Sequence, residues 1–275
     1  MADARSPIDI FGSGEGAQSR RAGGEARCGL RPRLCSLSAR VSLVLSNAAR
    51  NSTFYKVRNL VLQKDRLMSE TEVLPPDALP GAGKTVGVLA LQGGVAEHAR
   101  MLESLGAQVV LVKSAEQLAN LDALVLPGGE SSTIDRLTRI FGLRQPLIEA
   151  ISGGLPTLGT CAGLIMLSTV IDDPAPGQQS LGVLDVSVGR NAFGSQVDSA
   201  QVHLPWLTPS GEEVVIDTAF IRAPIVTRAG EGVQVVAHHE GKIVGVRAGN
   251  IIGISFHPEV TGDTTVHEEL LSLIR

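Results

Sequence analysis

Short apolar runs alternate with helix-like segments between residues 85 and 161, and this alternation constrains the fold more than any other feature. Residues 86–91 are almost continuously apolar, as is typical of a parallel strand that is buried on both faces. Residues 95–105 follow with helical spacing and end at Gly106. Strands that alternate with helices in this way predict βαβ units, and therefore a mostly parallel sheet with helices on both faces.

The remaining elements divide the folded part of the chain into two halves of different character. In the first half we predict strands at 108–112, at 123–126 and just before residue 161, and helices at 114–118, 132–141 (capped by Ser132) and 144–152. In the second half, short strand candidates lie at 183–188, 214–216, 219–222, 233–237, 243–246 and 251–256. They predict an additional antiparallel region, and residues 267–274 predict a C-terminal helix.

Residues 1–67 differ from the rest of the chain in charge and in patterning. They carry 12 Lys or Arg against 5 Asp or Glu, whereas residues 68–275 carry 12 against 23. They are rich in Arg, Ser, Gly and Ala and show little apolar periodicity, a composition that is typical of disorder. We therefore predict that residues 1–84 are a disordered extension and linker, with Met68 as an alternative start, and that residues 85–275 form the folded domain.

Composition argues against several classes of site. Cysteines occur only at positions 28, 35 and 161, without a Cys-x-x-Cys pair or a histidine at metal-ligand spacing, so neither a disulfide framework nor a zinc site is indicated. No apolar run is long enough to cross a membrane. The formal net charge of −4 does not point to nucleic acid. These features favour a cytoplasmic protein.

Residues 159–163, Gly-Thr-Cys-Ala-Gly, follow the last predicted parallel strand. The pattern is the cysteine form of the nucleophile elbow, a sharp strand-to-helix turn that exposes a nucleophile at the edge of a sheet. A helix beginning at about Ala162 directs its positive end towards the sulfur of Cys161, which favours the thiolate. Ala162 also offers a backbone N–H to an oxyanion. A small buried cysteine in a helix-start turn has the same local sequence, so the motif alone leaves both interpretations open.

A base for this nucleophile is predicted where the last strand ends. His257 and Glu259 are two residues apart, so an extended backbone directs both side chains to one side. Pro258 biases His257 towards that extended conformation. Together with Cys161 they supply a nucleophile, a base and an orienting carboxylate. The alternative interpretation is a histidine in a strand-end turn next to a surface glutamate.

The other histidines lack such a context. His98 lies on the first predicted helix, where simple packing explains it. Surface positions are expected for His203, His238, His239 and His267, since nothing in their neighbourhood suggests a site.

These motifs resemble the class I (triad) glutamine amidotransferases. Further segments narrow the resemblance to the glutaminase subunits of pyridoxal 5′-phosphate synthase: 91–93 (Leu-Gln-Gly), 127–133 (Pro-Gly-Gly-Glu-Ser-Ser-Thr), 189–194 (Gly-Arg-Asn-Ala-Phe-Gly), 196–199 (Gln-Val-Asp-Ser) and 220–224 (Phe-Ile-Arg-Ala-Pro). The resemblance covers residue 85 to the C-terminus. Ser195 stands where relatives often carry arginine, which concerns a local contact and not the chemistry.

The resemblance implies a three-layer, flavodoxin-like α/β fold and a glutaminase domain at 85–275. It implies hydrolysis of L-glutamine to L-glutamate and ammonia through a thioester, with Cys161, His257 and Glu259 as the triad and an oxyanion hole formed by Gly129 and Ala162. The residues that it places around glutamine are Gly129, Glu130, Ser131, Arg190, Ile221 and Arg222. It implies no cofactor in this chain, and a synthase partner that makes pyridoxal phosphate from a pentose phosphate, a triose phosphate and the ammonia.

Three alternatives share part of this pattern. The glutaminase subunit of another amidotransferase, such as one of histidine or nucleotide biosynthesis, has the triad but lacks the motifs around Arg190 and Arg222. A cysteine peptidase or deglycase of the related fold takes its histidine from the position after the nucleophile, where this chain has Ala162. A non-catalytic binding module does not require an intact triad.

Overall fold

The structure is a computed structural model that describes residues 75–190 and 200–275. Glu72–Arg275 forms one contact unit of the chain. The predicted disorder of residues 1–67, the residue Ser195 and the motif at 196–199 all lie outside the described residues. The division into an extension, a linker and a domain therefore stays a prediction.

A ten-stranded sheet forms the middle of the fold. Its parallel part has the strand order β2 (Gln108–Val112), β1 (Thr85–Leu89), β3 (Ala123–Leu126), β4 (Thr157–Thr160) and β12 (Ile251–Ile254). The sheet continues through β11 (Lys242–Ala248), β9 (Ile225–Ala229), β6 (Leu184–Gly189) and β5 (Ser168–Ile171), and β10 (Gln234–His239) pairs with β11. β12, β11, β9 and β6 do not share one direction, because β11 is antiparallel to both β12 and β9, and β9 is antiparallel to β6. The predicted antiparallel region is thus an extension of the parallel sheet.

In the part of the chain that the structure describes, a second, two-stranded sheet and six α-helices cover this layer. The small sheet pairs β7 (Ala200–Leu207) with β8 (Glu213–Phe220) in antiparallel register. The helices are α1 (Val95–Ser104), α2 (Ser131–Ile140), α3 (Arg144–Ser152), α4 (Ala162–Leu167), α5 (Pro258–Thr261) and α6 (Thr265–Ser272), and short 3₁₀ turns lie at Pro76–Ala78 and Ala115–Leu118. None of the helices in residues 75–190 and 200–275 is long and apolar enough to span a bilayer.

Alternating side chains of the central strands build two cores on opposite faces of the sheet. Val86, Val88 and Val125 pack in one cluster with α1, α6 and the β7–β8 sheet. Leu124 and Leu126 pack in the other with α2, α3 and α4. Strands that are apolar on both faces require cover on both faces, and this requirement produces the three layers. The predicted three-layer α/β fold is confirmed.

Two local predictions are wrong. Ser132 does not cap α2, because the carboxylate of Glu130 accepts hydrogen bonds from the N–H groups of Ser132 (3.2 Å) and Thr133 (2.7 Å). His267 is not at the surface but fully buried. It lies on α6 three residues before Leu270, and residues at that spacing share one helix face, so packing that face on the sheet buries the histidine as well.

The remaining surface histidines follow the prediction only in part. His203 and His238 are exposed, as predicted. His239 is half-buried, with its ring stacked on Phe220 at a centroid distance of 4.8 Å. Its position on β10, beside the β7–β8 sheet, provides this cover.

Residues 75–84, which we assigned to the linker, contact the domain where they are described. The N–H of Gly81 donates to the carbonyl of Leu105 at 2.8 Å. The ammonium of Lys84 donates to the carbonyl of Leu271 at 2.9 Å. These contacts attach the segment to the ends of α1 and α6.

Candidate active site

Four neighbouring parallel strands deliver the predicted site residues to one edge of the sheet. β1, β3, β4 and β12 are adjacent, and their carboxyl ends precede Gln92, Gly129, Cys161 and His257 respectively. Ligands of open α/β sheets bind at this edge. A cavity of about 330 Å³ opens there. The predicted site residues that line it are Cys161, His257, Glu259, Gly129, Glu130, Ser131, Arg190, Ile221 and Arg222.

The turn that carries Cys161 has the strained geometry of a nucleophile elbow. Cys161 has φ 49° and ψ −101°, a conformation that non-glycine residues rarely adopt. A Cβ atom at Gly163 would lie 2.0 Å from the carbonyl oxygen of Leu126, and one at Gly159 would lie 2.7 Å from the carbonyl carbon of Gly163. The two glycines are therefore required for the close approach of β3, β4 and α4. The N–H of Cys161 donates to Ile254 at 2.7 Å, which fixes the turn against β12.

The structure brings His257 and Glu259 next to the sulfur. Nδ1 of His257 lies 2.7 Å from Oε1 of Glu259, and both residues are buried. Burial opposes the charged form of His257, but hydrogen bonds with Cys161 and Glu259 outweigh it and raise the pKa of the imidazole to about 10. The imidazole that contacts the sulfur is therefore protonated at neutral pH.

The backbone reason for this pairing differs from the expected one. His257 is extended (φ −124°, ψ 83°), but Pro258 and Glu259 already form the first turn of α5. The N–H of His257 donates to the carbonyl of Ala219 at 2.9 Å, so β8 holds the histidine in place. The proline therefore starts a helix, a position that suits its fixed φ and missing N–H.

Two backbone N–H groups are candidates for an oxyanion hole. Ala162 is the first residue of α4, so its N–H has no acceptor within the helix. Ala162 itself is not among the residues that line the cavity. The carbonyl of Gly128 accepts a hydrogen bond from Gly94 at 3.0 Å. Since a trans peptide directs its C=O and N–H to opposite sides, the N–H of Gly129 is directed away from Gly94. A Cβ atom at Gly128 would lie 2.3 Å from Cε1 of His257, so this loop packs directly on the triad.

A negative and a positive side chain, those of Glu130 and Arg190, lie together in the lining of the cavity. Burial raises the pKa of Glu130, but hydrogen bonds from Ser132 and Thr133 outweigh it and lower the pKa to about 2. The guanidinium of Arg190 lies 3.6 Å from this carboxylate. A fixed carboxylate and a guanidinium are complementary to the ammonium and carboxylate groups of an amino acid.

Gln178, which sequence reasoning missed, connects Arg190 to Ser131. Its side-chain oxygen accepts a hydrogen bond from Arg190 at 2.8 Å, and its side-chain nitrogen donates to the hydroxyl of Ser131 at 2.9 Å. Gln178 lies in a loop without a recognisable motif, and no sequence signal identifies it.

The segment after β8 closes the other side of the cavity. The carbonyl of Ile221 lies 3.9 Å from the sulfur of Cys161. Arg222 has a positive φ of 46°, which is unusual for a residue with a side chain. Within the described ranges, no group of three or more His, Cys, Asp or Glu residues is arranged to hold a metal ion.

Comparison with known proteins gives a consistent set of relatives. The sequence profile of the SNO glutamine amidotransferase family matches residues 88–273. A protein of Kineococcus radiotolerans named pyridoxal 5′-phosphate synthase subunit PdxT is 52% identical over 198 residues, which cover 70% of this chain and 95% of the relative. The protein of the same name from Cutibacterium acnes is 50% identical over 193 residues, which cover 68% of this chain and 94% of that relative.

Two solved structures resemble the described fold. The crystal structure of a glutamine amidotransferase superposes with a TM-score of 0.64 at 43% identity and covers 69% of this chain and 98% of the other. PurLQS from Thermotoga maritima superposes with a TM-score of 0.50 at 18% identity and covers 70% of this chain and 96% of the other. This likeness shows the fold alone.

Proposed function

Since this chain belongs to the SNO glutamine amidotransferase family, we propose that it hydrolyses L-glutamine and delivers the ammonia to the synthase subunit of a pyridoxal 5′-phosphate synthase. The two relatives that carry the name of that enzyme's subunit align with this chain over 95% and 94% of their own length. The single observation that carries the proposal is the meeting of Cys161, on a strained elbow, with the His257–Glu259 pair in one cavity.

The first half of the reaction forms a thioester. His257 holds the proton of Cys161, and the thiolate attacks the side-chain amide carbon of glutamine. The electron pair of the carbonyl moves to oxygen, where the N–H groups of Gly129 and Ala162 receive the negative charge. His257 then gives its proton to the amide nitrogen, the C–N bond breaks, and ammonia leaves. The product on the enzyme is a γ-glutamyl thioester of Cys161.

The second half releases glutamate. His257, now neutral, removes a proton from water, and the resulting hydroxide attacks the thioester carbon. The tetrahedral intermediate collapses, the C–S bond breaks, and the thiolate of Cys161 is regenerated with glutamate as the product. Glu259 keeps the imidazole oriented and stabilises its charged form in both halves, as the carboxylate of a catalytic triad does.

Glutamine is selected by groups that match its ends. Glu130, ionised at neutral pH, accepts the α-ammonium group. Arg190 and Arg222 are assigned to the α-carboxylate, for which the planar guanidinium is suited. Gly129, Ser131 and Ile221 complete the contacts, since their side chains or backbone line the same cavity.

The activity needs no cofactor in this chain, because the nucleophile and the base are side chains. Pyridoxal phosphate is made on the synthase partner, from a pentose phosphate, a triose phosphate and the transferred ammonia. We assign the activity to residues 85–275, residues 1–84 to an extension and linker, and the complex to the cytoplasm.

The test is co-purification with the synthase subunit, followed by an assay of pyridoxal phosphate formation from glutamine and the two sugar phosphates. We expect product with glutamine as the only nitrogen source. Glutamate release without any pyridoxal phosphate would favour the glutaminase of another amidotransferase. Absence of glutamate release from the complex would contradict the proposal.

A further inference from the structure

Two buried histidines lie directly behind the proposed triad. His98, on α1, and His267, on α6, are both fully buried. Nδ1 of His98 lies 2.9 Å from Nε2 of His267. Nε2 of His98 lies 3.0 Å from the hydroxyl of Thr160 and 3.4 Å from Oε1 of Glu259. Thr160 immediately precedes the nucleophile. A single imidazole therefore contacts both the strand that carries Cys161 and the carboxylate of the triad.

Both of these histidines are neutral at neutral pH. Burial lowers the pKa of His98 well below its ordinary value, and the neighbouring His267 and His257 lower it further. Burial lowers the pKa of His267 to about 4, against an opposing effect of Asp263. A neutral imidazole carries one N–H donor and one acceptor nitrogen, so the direction of each hydrogen bond follows from the position of a single proton.

Only one arrangement of the protons gives every N–H a partner. Nε2 of His98 faces the hydroxyl oxygen of Thr160 at 3.0 Å and the carboxylate of Glu259 at 3.4 Å, and both can accept, so this nitrogen is satisfied when it carries the proton. Nδ1 of His98 is then an acceptor, and Nε2 of His267 must donate to it. Nδ1 of His267, which has no partner among the described residues, is left as a lone pair. An unpaired buried acceptor is less unusual than an unpaired buried N–H, which supports this direction.

From this geometry we infer that His98 is a positioning residue of the active site, whose Nε2–H is shared between the hydroxyl of Thr160 and Oε1 of Glu259 and holds that carboxylate in line with His257. The inference rests on the proposed glutaminase function. Oε1 of Glu259 then has two N–H groups beside it, that of His257 with its nitrogen at 2.7 Å and that of His98 with its nitrogen at 3.4 Å. Oε2 of Glu259 is buried without a partner in residues 75–190 and 200–275, so His98 is the second group that fixes the carboxylate.

Other charged groups surround this chain of hydrogen bonds. A Cβ atom at Gly94 would lie 3.7 Å from the carboxylates of both Glu259 and Glu97. The carboxylate of Glu97, on α1, is therefore close to that of Glu259. Arg100 holds Glu97 at 3.1 Å. Asp263 acts on His267 from the segment before α6. A second carboxylate, that of Glu97, therefore lies near the carboxylate that His98 contacts.

The test compares two amides at position 98. In His98→Gln the side-chain NH₂ reaches about as far as Nε2, so it can still donate to Glu259, whereas in His98→Asn the amide ends at the depth of Nδ1 and cannot. We expect His98→Gln to keep most of the glutaminase activity in the complex with the synthase. We expect His98→Asn to lower kcat by about 10–100-fold, the usual effect of losing an orienting partner, with little change in KM.

A second measurement does not depend on glutamine. The rate at which iodoacetamide alkylates Cys161, followed against pH in the full chain, reports the thiolate that His257 maintains. We expect His98→Asn to alkylate more slowly at neutral pH and to shift the profile to higher pH, with His98→Gln close to the wild type. If both variants match the wild type, or if both lose reactivity equally while folded, the positioning role is wrong. If the wild type alkylates as expected but releases no glutamate in the complex, the proposed function fails while this comparison still decides the role of His98.

Discussion

Nδ1 of His257 lies 2.7 Å from Oε1 of Glu259, and neither residue has appreciable access to solvent. Whenever the imidazole is neutral, this hydrogen bond fixes its tautomer, because the N–H must be on Nδ1 when the partner is a carboxylate. The other ring nitrogen is thereby available to the sulfur of Cys161. The pair thus links a buried carboxylate to the imidazole that contacts the nucleophile.

This pairing predicts a dependence of stability on pH. The pKa of His257 is raised from 6.5 to about 10, so its contribution to stability is complete below pH 6.5 and is lost as the pH rises through about 10. Glu259→Gln removes the charge but keeps the shape. We expect it to lower Tm by several degrees at pH 6.5, since hydrogen bonds to charged groups contribute about 1.5–3 kcal/mol, and the difference should shrink towards pH 10. Scanning calorimetry checks this, and a difference that is constant over the range contradicts it.

The second prediction concerns the nucleophile. We expect Cys161→Ala and Cys161→Ser to abolish glutamine hydrolysis while the fold survives, because the elbow needs only a small side chain at this strained position. A complex that carries either variant should still make pyridoxal phosphate from added ammonium salts. Glutaminase activity in Cys161→Ala would remove the proposed mechanism, and a loss of the ammonium-dependent reaction would point to a damaged complex instead.

The third prediction concerns Gln178, whose side chain accepts a hydrogen bond from Arg190. Gln178 connects Arg190 to Ser131, so Gln178→Ala should release the guanidinium and raise KM for glutamine. We expect an increase of about tenfold, because a hydrogen bond to a charged group contributes about 1.5–3 kcal/mol, with little change in kcat. Gln179→Ala is the matched control, because Gln179 is the next residue in the chain and its side chain is exposed. An unchanged KM in Gln178→Ala would show that Arg190 does not depend on this contact.

The contrast between Cys161 and Gln178 shows what the sequence can predict. The elbow is a local feature, in which glycines two residues on either side of the cysteine report a tight turn, so its role follows from the sequence. Gln178 and Ser131 are 47 residues apart, and His98 and His267 are 169 apart. Their contacts depend on how the helices and loops pack on the sheet, and no local pattern records that.

Strand prediction has the same limit. The four-residue strands β3 and β4 are buried on both faces, but only β3 (Ala-Leu-Val-Leu) is visible as an apolar run, and β4 (Thr-Leu-Gly-Thr) is predicted from its place before the elbow. β8 was predicted as two pieces because Asp217 and Thr218 interrupt its pattern, yet it pairs with β7 along its whole length. β7 itself was missed. It contains Pro205, which argues against a central strand but is tolerated at the edge of a two-stranded sheet.

The fourth prediction concerns the N-terminal segment. Residues 1–67 should be dispensable, since their composition offers no core and the family profile matches only residues 88–273. A chain that begins at Met68 should match the full chain in glutaminase activity and in Tm. As a control, a chain that begins at Thr85 loses the contacts of Gly81 and Lys84 with the domain and should be less stable. A large loss in the Met68 variant would contradict the prediction.

The last prediction is that the chain alone is a poor glutaminase and that the synthase partner activates it. One oxyanion donor depends on the Gly128–Gly129 peptide, whose carbonyl is held by a single backbone hydrogen bond from Gly94 at 3.0 Å. Glycine backbones rotate at little steric cost, so this peptide can turn over and present its carbonyl to the substrate instead of its N–H. Docking near Gln92, which holds the N–H of Glu130 at 2.8 Å, would favour the donor orientation.

The size of this activation follows from the value of one donor. An oxyanion donor contributes roughly 10²–10³ in rate, so we expect at least about tenfold activation even if part of the free chain is already in the active form. The measurement is glutamate release by the purified chain with and without excess synthase. Gln92→Ala, which loses the bond to Glu130, should reduce the activation but not abolish alkylation of Cys161. Equal rates with and without the partner would remove the switch and leave the triad assignment untouched.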